Sequence, residues 1–174
     1  MQLFRVLSAV CFAAALAAAQ VQGVPNFHKV NDGIYRGGQP SPDGFRSLAS
    51  LGVRTVIDLR ETGEHSQSQE ATWVKADGMR YVSIPMGKLS APHDADVART
   101  LSILADRSAE PVFLHCRRGS DRTGTVVACY RILHDHWRNR QALDEARQYG
   151  MSRFELAMQH YILRFTPEIQ SAEQ

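Results

Sequence analysis

The chain has 174 residues, which is the length of one domain with a short terminal extension and is too short for a large multidomain protein. Hydrophobic residues make up 44% of the chain and charged residues 22%, a balance that excludes disordered, collagen-like and coiled-coil proteins. The 20 Lys and Arg residues exceed the 18 Asp and Glu residues by a net charge of only +2, so no nucleic-acid binding is expected. We therefore expect a single packed domain in which any affinity for anions is local.

The amino-terminal residues follow the pattern of a secretory signal peptide. Arg5 precedes an apolar run over residues 6–19, and the three alanines at 17–19 offer a small-residue cleavage site. This run is shorter than the ~20 residues that cross a bilayer, so we expect no stable membrane span. The sequence predicts a signal peptide over 1–19, a short leader over 20–26, a folded domain over 27–165, a flexible tail over 166–174, and a periplasmic or secreted location.

The rest of the chain alternates strand and helix patterns. In chain order, we predict a hairpin over 27–37, a helix over 42–51, a strand over 53–59, a helix over 67–76, a strand over 79–86, a helix over 94–106, a strand over 111–115, a helix that follows the next loop, and helices over 141–148 and 152–165. Asp32-Gly33 supplies the hairpin turn, and Ser41 followed by Pro42 is typical of a helix start. This alternation predicts an α/β fold: a single domain with a central, mostly parallel sheet flanked by helices.

Apolar residues in the last third of the chain recur at helical spacing. One set follows the loop after residue 115 and the other falls in the last predicted helix: Val126, Tyr130, Leu133 and Trp137, then Phe154, Met158, Tyr161 and Phe165. One amphipathic stripe explains the second set, aromatic residues included. We therefore predict that these side chains pack in the core rather than hold a cofactor.

The sequence that could carry chemistry follows the strand that ends at His115. It reads Cys116-Arg117-Arg118-Gly119-Ser120-Asp121-Arg122-Thr123-Gly124, and a helix follows at once. A loop between a strand end and a helix start can turn its backbone N–H groups inward, where the helix N-terminus adds positive charge, so a tetrahedral dianion would fit. Cys116 at its base is expected to be a thiolate nucleophile, and Arg122 can donate two N–H groups to the ligand. Gly119 gives the loop freedom to turn.

This segment resembles the signature of the cysteine-based protein tyrosine phosphatases, in which His-Cys is followed by five residues, Arg, and Thr or Ser. The longer string is most similar to bacterial tyrosine and lipid phosphatases, and the loop is also similar to that of myotubularins. Residues 34–40 and 53–60 resemble upstream segments of bacterial and fungal dual-specificity phosphatases. The resemblance covers about residues 27–165, and it implies the fold of that superfamily, a phosphatase domain.

The resemblance also implies a two-step phosphoryl transfer that uses no metal and no cofactor. Cys116 would form a cysteinyl-phosphate that water later hydrolyses, Thr123 would assist departure of the thiolate, and His115 would orient the loop. The remaining loop residues would bind the substrate phosphate: Arg117, Arg118, Gly119, Ser120, Asp121 and Arg122. His134 and His136 point to different faces of a helix, so a metal pair is not expected there.

The general acid is the open point of this mechanism. Many dual-specificity members carry an Asp after the strand equivalent to residues 81–85, but here that place reads Met-Gly-Lys-Leu over residues 86–89. Asp94 and Asp96 come later, at a predicted helix start where acidic residues commonly interact with the helix dipole. Asp121 lies inside the loop, and we favour it as the proton donor. Its alternative role is an ion pair that shields the neighbouring arginines.

The substrate is less well defined than the reaction. We predict activity on phosphotyrosine or dual specificity, with an inositol phosphate or phosphoinositide as the alternative, since Arg117 and Arg118 suit a ligand that bears more than one phosphate. Solvated rim arginines would explain the same residues. The charged residues Arg36, Asp58, Arg60 and Glu64 either border the site or form internal ion pairs.

Two other functional classes fit parts of the pattern. A rhodanese-like sulfurtransferase also uses a loop cysteine after a buried strand, but it does not require Arg122 followed by Thr123. A module that only binds phosphorylated ligands would lose the nucleophile or the arginine, and both are present. Cys129 is expected to pack in the core, and a disulfide between Cys116 and Cys129 would be poor scaffolding.

Overall fold

A computed structural model of the chain describes residues 20–167, so the predicted signal peptide and residues 168–174 of the predicted tail lie outside the described residues. Over these residues the fold is α/β, a mixed five-stranded sheet flanked by six helices, as the sequence predicts. The elements are β1 His28–Lys29, β2 Ile34–Gly37, α1 Pro42–Ser50, β3 Thr55–Asp58, α2 Gln67–Ala76, β4 Arg80–Ser83, α3 Asp94–Ala105, β5 Val112–His115, α4 Asp121–His134, α5 Asn139–Gln148 and α6 Leu156–Arg164. Over the range 20–167, no helix combines the length and hydropathy needed to cross a membrane.

The sheet has the strand order β1-β2-β5-β3-β4. All neighbours are parallel except β1, which pairs with β2 as the antiparallel hairpin. His115 at the end of β5 lies opposite Gly37 of β2 and Asp58 of β3. The carboxyl ends of these three strands therefore meet at one edge of the sheet, where ligands of parallel α/β sheets bind.

Alternate residues of the central strands divide the core into two layers. Val56 and Phe113 pack with side chains of α1 and α2 on one face, and Ile57 and Leu114 pack with α3 to α6 on the other. This period of two is what a strand covered on both faces requires. Because α4 lies between the sheet and the outer helices, most of its residues are buried, so it carries no single apolar stripe.

The predicted helix starts and stops are largely confirmed. Ser41 caps α1, since its hydroxyl accepts a hydrogen bond from the Gly44 amide at 3.1 Å and Pro42 occupies the first helical position. Helix α2 spans the predicted residues 67–76, and α4 ends at His134, so Trp137 packs from the following connection.

The prediction that Phe154 packs in the core is wrong. Helix α6 begins at Leu156 rather than at residue 152, and Phe154 precedes its first turn with 92% of its surface exposed. The buried stripe of the helix comes instead from Met158 and Ile162, which are four residues apart. Cys129 is fully buried in the core as expected, and this burial raises the pKa of its thiol. Cys116 and Cys129 are both free thiols, so the possible disulfide does not form.

Candidate active site

The loop from Cys116 to Ser120, hereafter the Cys116 loop, connects β5 to α4 at the carboxyl edge of the sheet. The helix begins at Asp121, so its first turn borders the loop. Gly119 has a φ of +73°, and a Cβ atom there would lie 2.3 Å from the carbonyl carbon of Gly37. Both the backbone conformation and this close approach require glycine, in agreement with the role predicted for Gly119.

A cavity of about 470 Å³ opens in front of this loop. Its lining residues come from four separate parts of the chain: Glu64, Lys88, Leu89, Cys116, Arg117, Arg118, Asp121, Arg122 and Glu155. Cys116 is only 2% exposed and lies at the base of this cavity. The structure thus brings together five of the predicted site residues. Gly119, Ser120, Thr123 and His115 are buried around them.

Arg122 is held at the cavity by neighbours from two strand ends. Its Nη1 and Nη2 atoms donate to the two carboxylate oxygens of Glu64 at 2.8 and 3.2 Å, and Nη1 also lies 3.4 Å from the Met86 carbonyl. Burial opposes the charge of Arg122, but the hydrogen bonds to Glu64 and the nearby Cys116 raise its pKa above the usual range. The same hydrogen bonds lower the pKa of Glu64. Arg122 is therefore a fixed cation with defined orientation.

Asp121 forms the predicted ion pair and also lies at the cavity, where the predicted proton donor would have to be. It lines the cavity, and its Oδ2 accepts hydrogen bonds from Arg118 Nη2 at 2.7 Å and from Ser120 Oγ at 3.2 Å. Its Oδ1 accepts from the amide of Ser152 at 2.9 Å. The side chain of Arg118 is 67% exposed, so it can leave Asp121 for a ligand oxygen at little cost.

The alternative acids are not brought to the cavity. Asp94 begins α3, and its Oδ1 accepts a hydrogen bond from the hydroxyl of Tyr161 at 2.7 Å in a different cleft. Asp96 lies in the same helix turn and does not line the cavity in front of Cys116. Of the three candidates, Asp121 alone shares a cavity with Cys116 within the described residues.

Behind the loop lies a buried network of ionic and polar groups. His115 Nε2 is 3.0 Å from Glu70 Oε1, and the other Glu70 oxygen accepts from Gln39 Nε2 at 2.9 Å. Arg60 donates to Asp58 at 3.0 Å through both Nε and Nη2 and also forms an ion pair with Glu70. Burial tends to raise the pKa of Asp58, but the charge of His115 and the hydrogen bonds from Arg60 lower it to about 2.

This network also explains the one potential metal-binding cluster among residues 20–167. One ligand atom each from Asp58, Glu70 and His115 lies within 4.8 Å of the others. The guanidinium of Arg60 already binds both carboxylates, so their charge is compensated within the fold. The cluster is therefore an ion-pair network that supports His115 from behind.

Several residues of the site were missed or left open by the sequence. The sequence left open whether the charged residues after β3 border the site or form internal ion pairs. Glu64 borders the site, whereas Asp58 and Arg60 form an internal pair. Glu70 and Glu155 were not predicted. Glu70 lies in the first turn of α2, where an acidic side chain is ordinarily a helix-dipole partner, and no local signal separates that role from contact with His115.

A buried cysteine in the loop and a fixed arginine in the first turn of α4 together make a site of the cysteine-based phosphatase type. The family model described as "DSP-PTPase phosphatase fused to NAD+ Kinase" matches residues 19–164. The chain belongs to this phosphatase family.

Relatives and solved structures agree with this assignment. The chain is 31% identical to inositol diphosphatase DSP2 of Oryza sativa subsp. japonica over 159 residues, covering 86% of this chain and 74% of the rice protein. It is 30% identical to the dual specificity protein phosphatase TpbA of Pseudomonas aeruginosa over 126 residues, covering 72% of this chain and 55% of TpbA. The catalytic domain of the S. cerevisiae PP-IP phosphatase SIW14 superposes with a TM-score of 0.76 at 25% identity, covering 88% of this chain and 93% of that domain. The chain is thus a phosphatase, a hydrolase of the cysteine-based type.

Proposed function

We propose that the chain hydrolyses phosphate monoesters through a cysteinyl-phosphate intermediate, with phosphotyrosine or dual-specificity substrates. The observation that carries this proposal is that Cys116 and Arg122 meet in one cavity at the N-terminus of α4. The helix N-terminus and Arg122 together favour the binding of a phosphate dianion directly above the sulfur.

In the first step, Cys116 Sγ attacks phosphorus as the bond between phosphorus and the leaving oxygen breaks. Asp121 gives its proton to that oxygen. Its Oδ2 atom is held by Arg118 and Ser120, so binding of the substrate must draw Arg118 away to the phosphate oxygens before this oxygen can face the leaving group. Arg122 and the loop amides stabilise the charge on the three remaining oxygens.

In the second step, water attacks phosphorus, Asp121 takes a proton from that water, and the bond between sulfur and phosphorus breaks. The Thr123 hydroxyl is buried and has no hydrogen-bond partner within residues 20–167, so it is free to donate to the departing thiolate. This unsatisfied hydroxyl supports the role that the family resemblance implies for Thr123.

The charges of the cavity favour a single phosphate group. Its four basic residues are Lys88, Arg117, Arg118 and Arg122, and its three acidic residues are Glu64, Asp121 and Glu155. A net positive charge this small suits a monoester dianion better than a heavily phosphorylated inositol. The second candidate, an inositol phosphate or phosphoinositide, is favoured by the exposed Arg117 and Lys88 at the cavity mouth and by relatives named inositol diphosphatases.

The test is phosphate release, in the presence of chelator, from a phosphotyrosine peptide, a phosphoserine peptide, a phosphoinositide, phytate and an inositol diphosphate. We expect the peptides to be the best substrates, and Cys116→Ser to abolish release. Cys129→Ala is the matched control, because it removes the other buried free thiol outside the cavity. Release mainly from the inositol compounds would establish the second candidate, and turnover by Cys116→Ser would overturn the mechanism.

We also propose that the chain is exported to the periplasm or secreted. The apolar run after Arg5 and the alanines at 17–19 support this location. The test is fractionation of a Gram-negative host that expresses the full chain, with a variant that carries two aspartates in the apolar run as control. Wild-type protein in the cytosolic fraction, at the same level as the variant, would contradict export.

A further inference from the structure

The carbonyl groups of the Cys116 loop are bound by a segment that precedes them by about eighty residues in sequence. The amide of Gln39 donates to the carbonyl of Arg117 at 3.1 Å, and Asn26 Nδ2 donates to that of Arg118 at 3.3 Å. Arg36 Nη2 donates to the carbonyl of Gly119 at 2.8 Å. Three successive carbonyls are thus held by one residue of β2 and by one residue on each side of that strand.

Fixing these carbonyls also fixes the amides that bind an anion. In a planar trans peptide, the C=O of one residue and the N–H of the next point in opposite directions. With the carbonyls of residues 117–119 bound on the side of β2, the N–H groups of residues 118–120 are directed away from that strand, towards the opening of the loop. The hydrogen bonds from residues 26–39 therefore orient the donors of the site.

Arg36 is the unusual member of this set because its charge is buried without an acidic partner. It is 1% exposed, its guanidinium lies 4.8 Å from the ring centre of Tyr149, and it forms no ion pair among residues 20–167. Its Nε and Nη1 atoms are buried and have no hydrogen-bond partner in that range. Burial lowers the pKa of Arg36 to about 10, an effect that the negative charges of Glu145 and Cys116 partly oppose.

An unpaired buried cation is costly, so its retention calls for a compensating anion. The Cys116 thiolate and a bound phosphate are the negative charges that the site itself can supply on the far side of Gly119. We propose that Arg36 is a positioning residue of the phosphatase: it holds the Gly119 carbonyl away from the cavity and leaves positive charge beneath the anion site. This inference rests on the proposed function, because it assigns a role in the same site.

Arg131 provides a matched control for Arg36. Its guanidinium also lies 4.8 Å from an aromatic ring, that of Trp137, and its Nη2 also donates to a backbone carbonyl, that of Val30, at 3.2 Å. It differs in having the acidic partners Glu145 at 3.0 Å and Asp135 at 2.7 Å, and it does not line the catalytic cavity. Loss of Arg131 therefore reproduces the packing defect of a lost arginine without touching the loop.

The experiment compares Arg36→Met, Arg36→Lys and Arg131→Met in the full chain. Two quantities are measured: kcat and KM for p-nitrophenyl phosphate, and the rise in Tm caused by tungstate, a tetrahedral dianion that binds without turnover. We expect Arg36→Met to lower kcat/KM about 100-fold, as loss of one preorganised donor does, and to remove the tungstate effect, while Arg131→Met retains both. Arg36→Lys, which keeps the charge, should restore part of the tungstate effect.

A tungstate response of Arg36→Met equal to that of the wild type would overturn the proposal. So would activity losses in Arg36→Met and Arg131→Met that are both in proportion to the losses of Tm, because the effect of Arg36 would then be one of stability alone. Should Arg36→Met not fold, Asn26→Gly tests the same set of contacts to the loop carbonyls, because glycine tolerates the positive φ of 49° at that position and removes the donor to the Arg118 carbonyl. The same substitution also removes the hydrogen bonds of Asn26 with the Tyr149 carbonyl and with His28 Nε2. Loss of tungstate binding there supports the proposal, and its retention counts against it. Wild-type protein that binds tungstate but releases no phosphate would overturn the proposed function alone.

Discussion

The charged side chains on the two sides of the Cys116 loop differ in their burial and in what they face. On the back, Asp58, Arg60 and Glu70 are almost fully buried, and each is paired within the fold. On the front, Arg122 is 7% exposed and paired with Glu64, while Arg118 is largely exposed and only loosely tied to Asp121. The pairs on the back are closed off from the cavity, whereas Arg122 and Arg118 on the front both line it, and the exposed Arg118 can turn to a ligand.

We infer from this difference that charged residues on the back mainly affect stability and that those on the front mainly affect catalysis. A charge that is compensated internally contributes mainly to the rigidity of the loop, and its removal leaves a buried partner without compensation. A charge that faces the cavity acts on the ligand, and its replacement changes the transition state more than the fold. Substitutions on the front should therefore change kcat with little change in Tm, and substitutions on the back should lower Tm.

The largest effect is expected for Arg122→Lys. Lysine keeps the charge opposite Glu64, so the free energy of unfolding should change little, but it cannot donate two parallel N–H groups to the phosphate. We expect kcat to fall about 1,000-fold, which is the upper range for loss of a preorganised donor. Steady-state kinetics with p-nitrophenyl phosphate and urea unfolding measure the two quantities. A loss in the free energy of unfolding large enough to account for the activity loss would remove the distinction between front and back.

On the back, Glu70→Ala should cost stability. It removes the partner of His115 Nε2 and one of the two acidic partners of Arg60, all of them buried. Breaking a buried pair costs about 3 kcal/mol or more, so we expect a loss of that order in the free energy of unfolding. Glu61→Ala, at an exposed position nearby, is the control and should be neutral within about 0.5 kcal/mol. Urea denaturation followed by fluorescence gives both values, and equal losses would argue against the network.

Asp121→Asn tests the general acid on the front. Asparagine keeps the shape and the hydrogen bond from Ser152, but it has no proton to give to the leaving oxygen. We expect kcat to fall about 100-fold with phenyl phosphate, a poor leaving group, and much less with p-nitrophenyl phosphate. Asp94→Asn is the control and should retain full activity because Asp94 lies in another cleft. The opposite result for the two variants would move the acid to Asp94.

The buried pair on the back also predicts a pH dependence of stability. The folded pKa of Asp58 is about 2, below the ordinary 3.8, so its ionised form stabilises the fold above about pH 4. This contribution, about 2 kcal/mol, should be lost as the pH falls from about 4 to about 2. In Asp58→Asn, the free energy of unfolding should be lower at neutral pH and should depend less steeply on pH in this interval. Urea unfolding between pH 2 and 7 is the measurement, and an unchanged slope would show that Asp58 is not the group responsible.

The sequence predicts the local features of this molecule well and the long-range contacts poorly. Ser41 with Pro42 and the residues of the Cys116 loop are adjacent in sequence, so their capping and turn preferences could be read directly. Glu70 and Gln39 meet because α2 packs beside the strand ends, at a distance of 31 residues along the chain. No local pattern encodes that contact, and the same holds for Arg36, whose motif was noted but whose partner at Gly119 is 83 residues away.

The wrong assignment of Phe154 leads to the smallest expected effect. Spacing alone placed it on the stripe of Met158, but the chain turns before α6 begins, and the ring is left in solvent. Phe154→Ser should therefore change the free energy of unfolding by less than about 0.5 kcal/mol, whereas Met158→Ala should cost about 2 kcal/mol or more. Urea unfolding of both variants decides between the two positions. A loss in Phe154→Ser comparable to that in Met158→Ala would show that the ring is buried in solution, and it would return the start of α6 to the predicted residue 152.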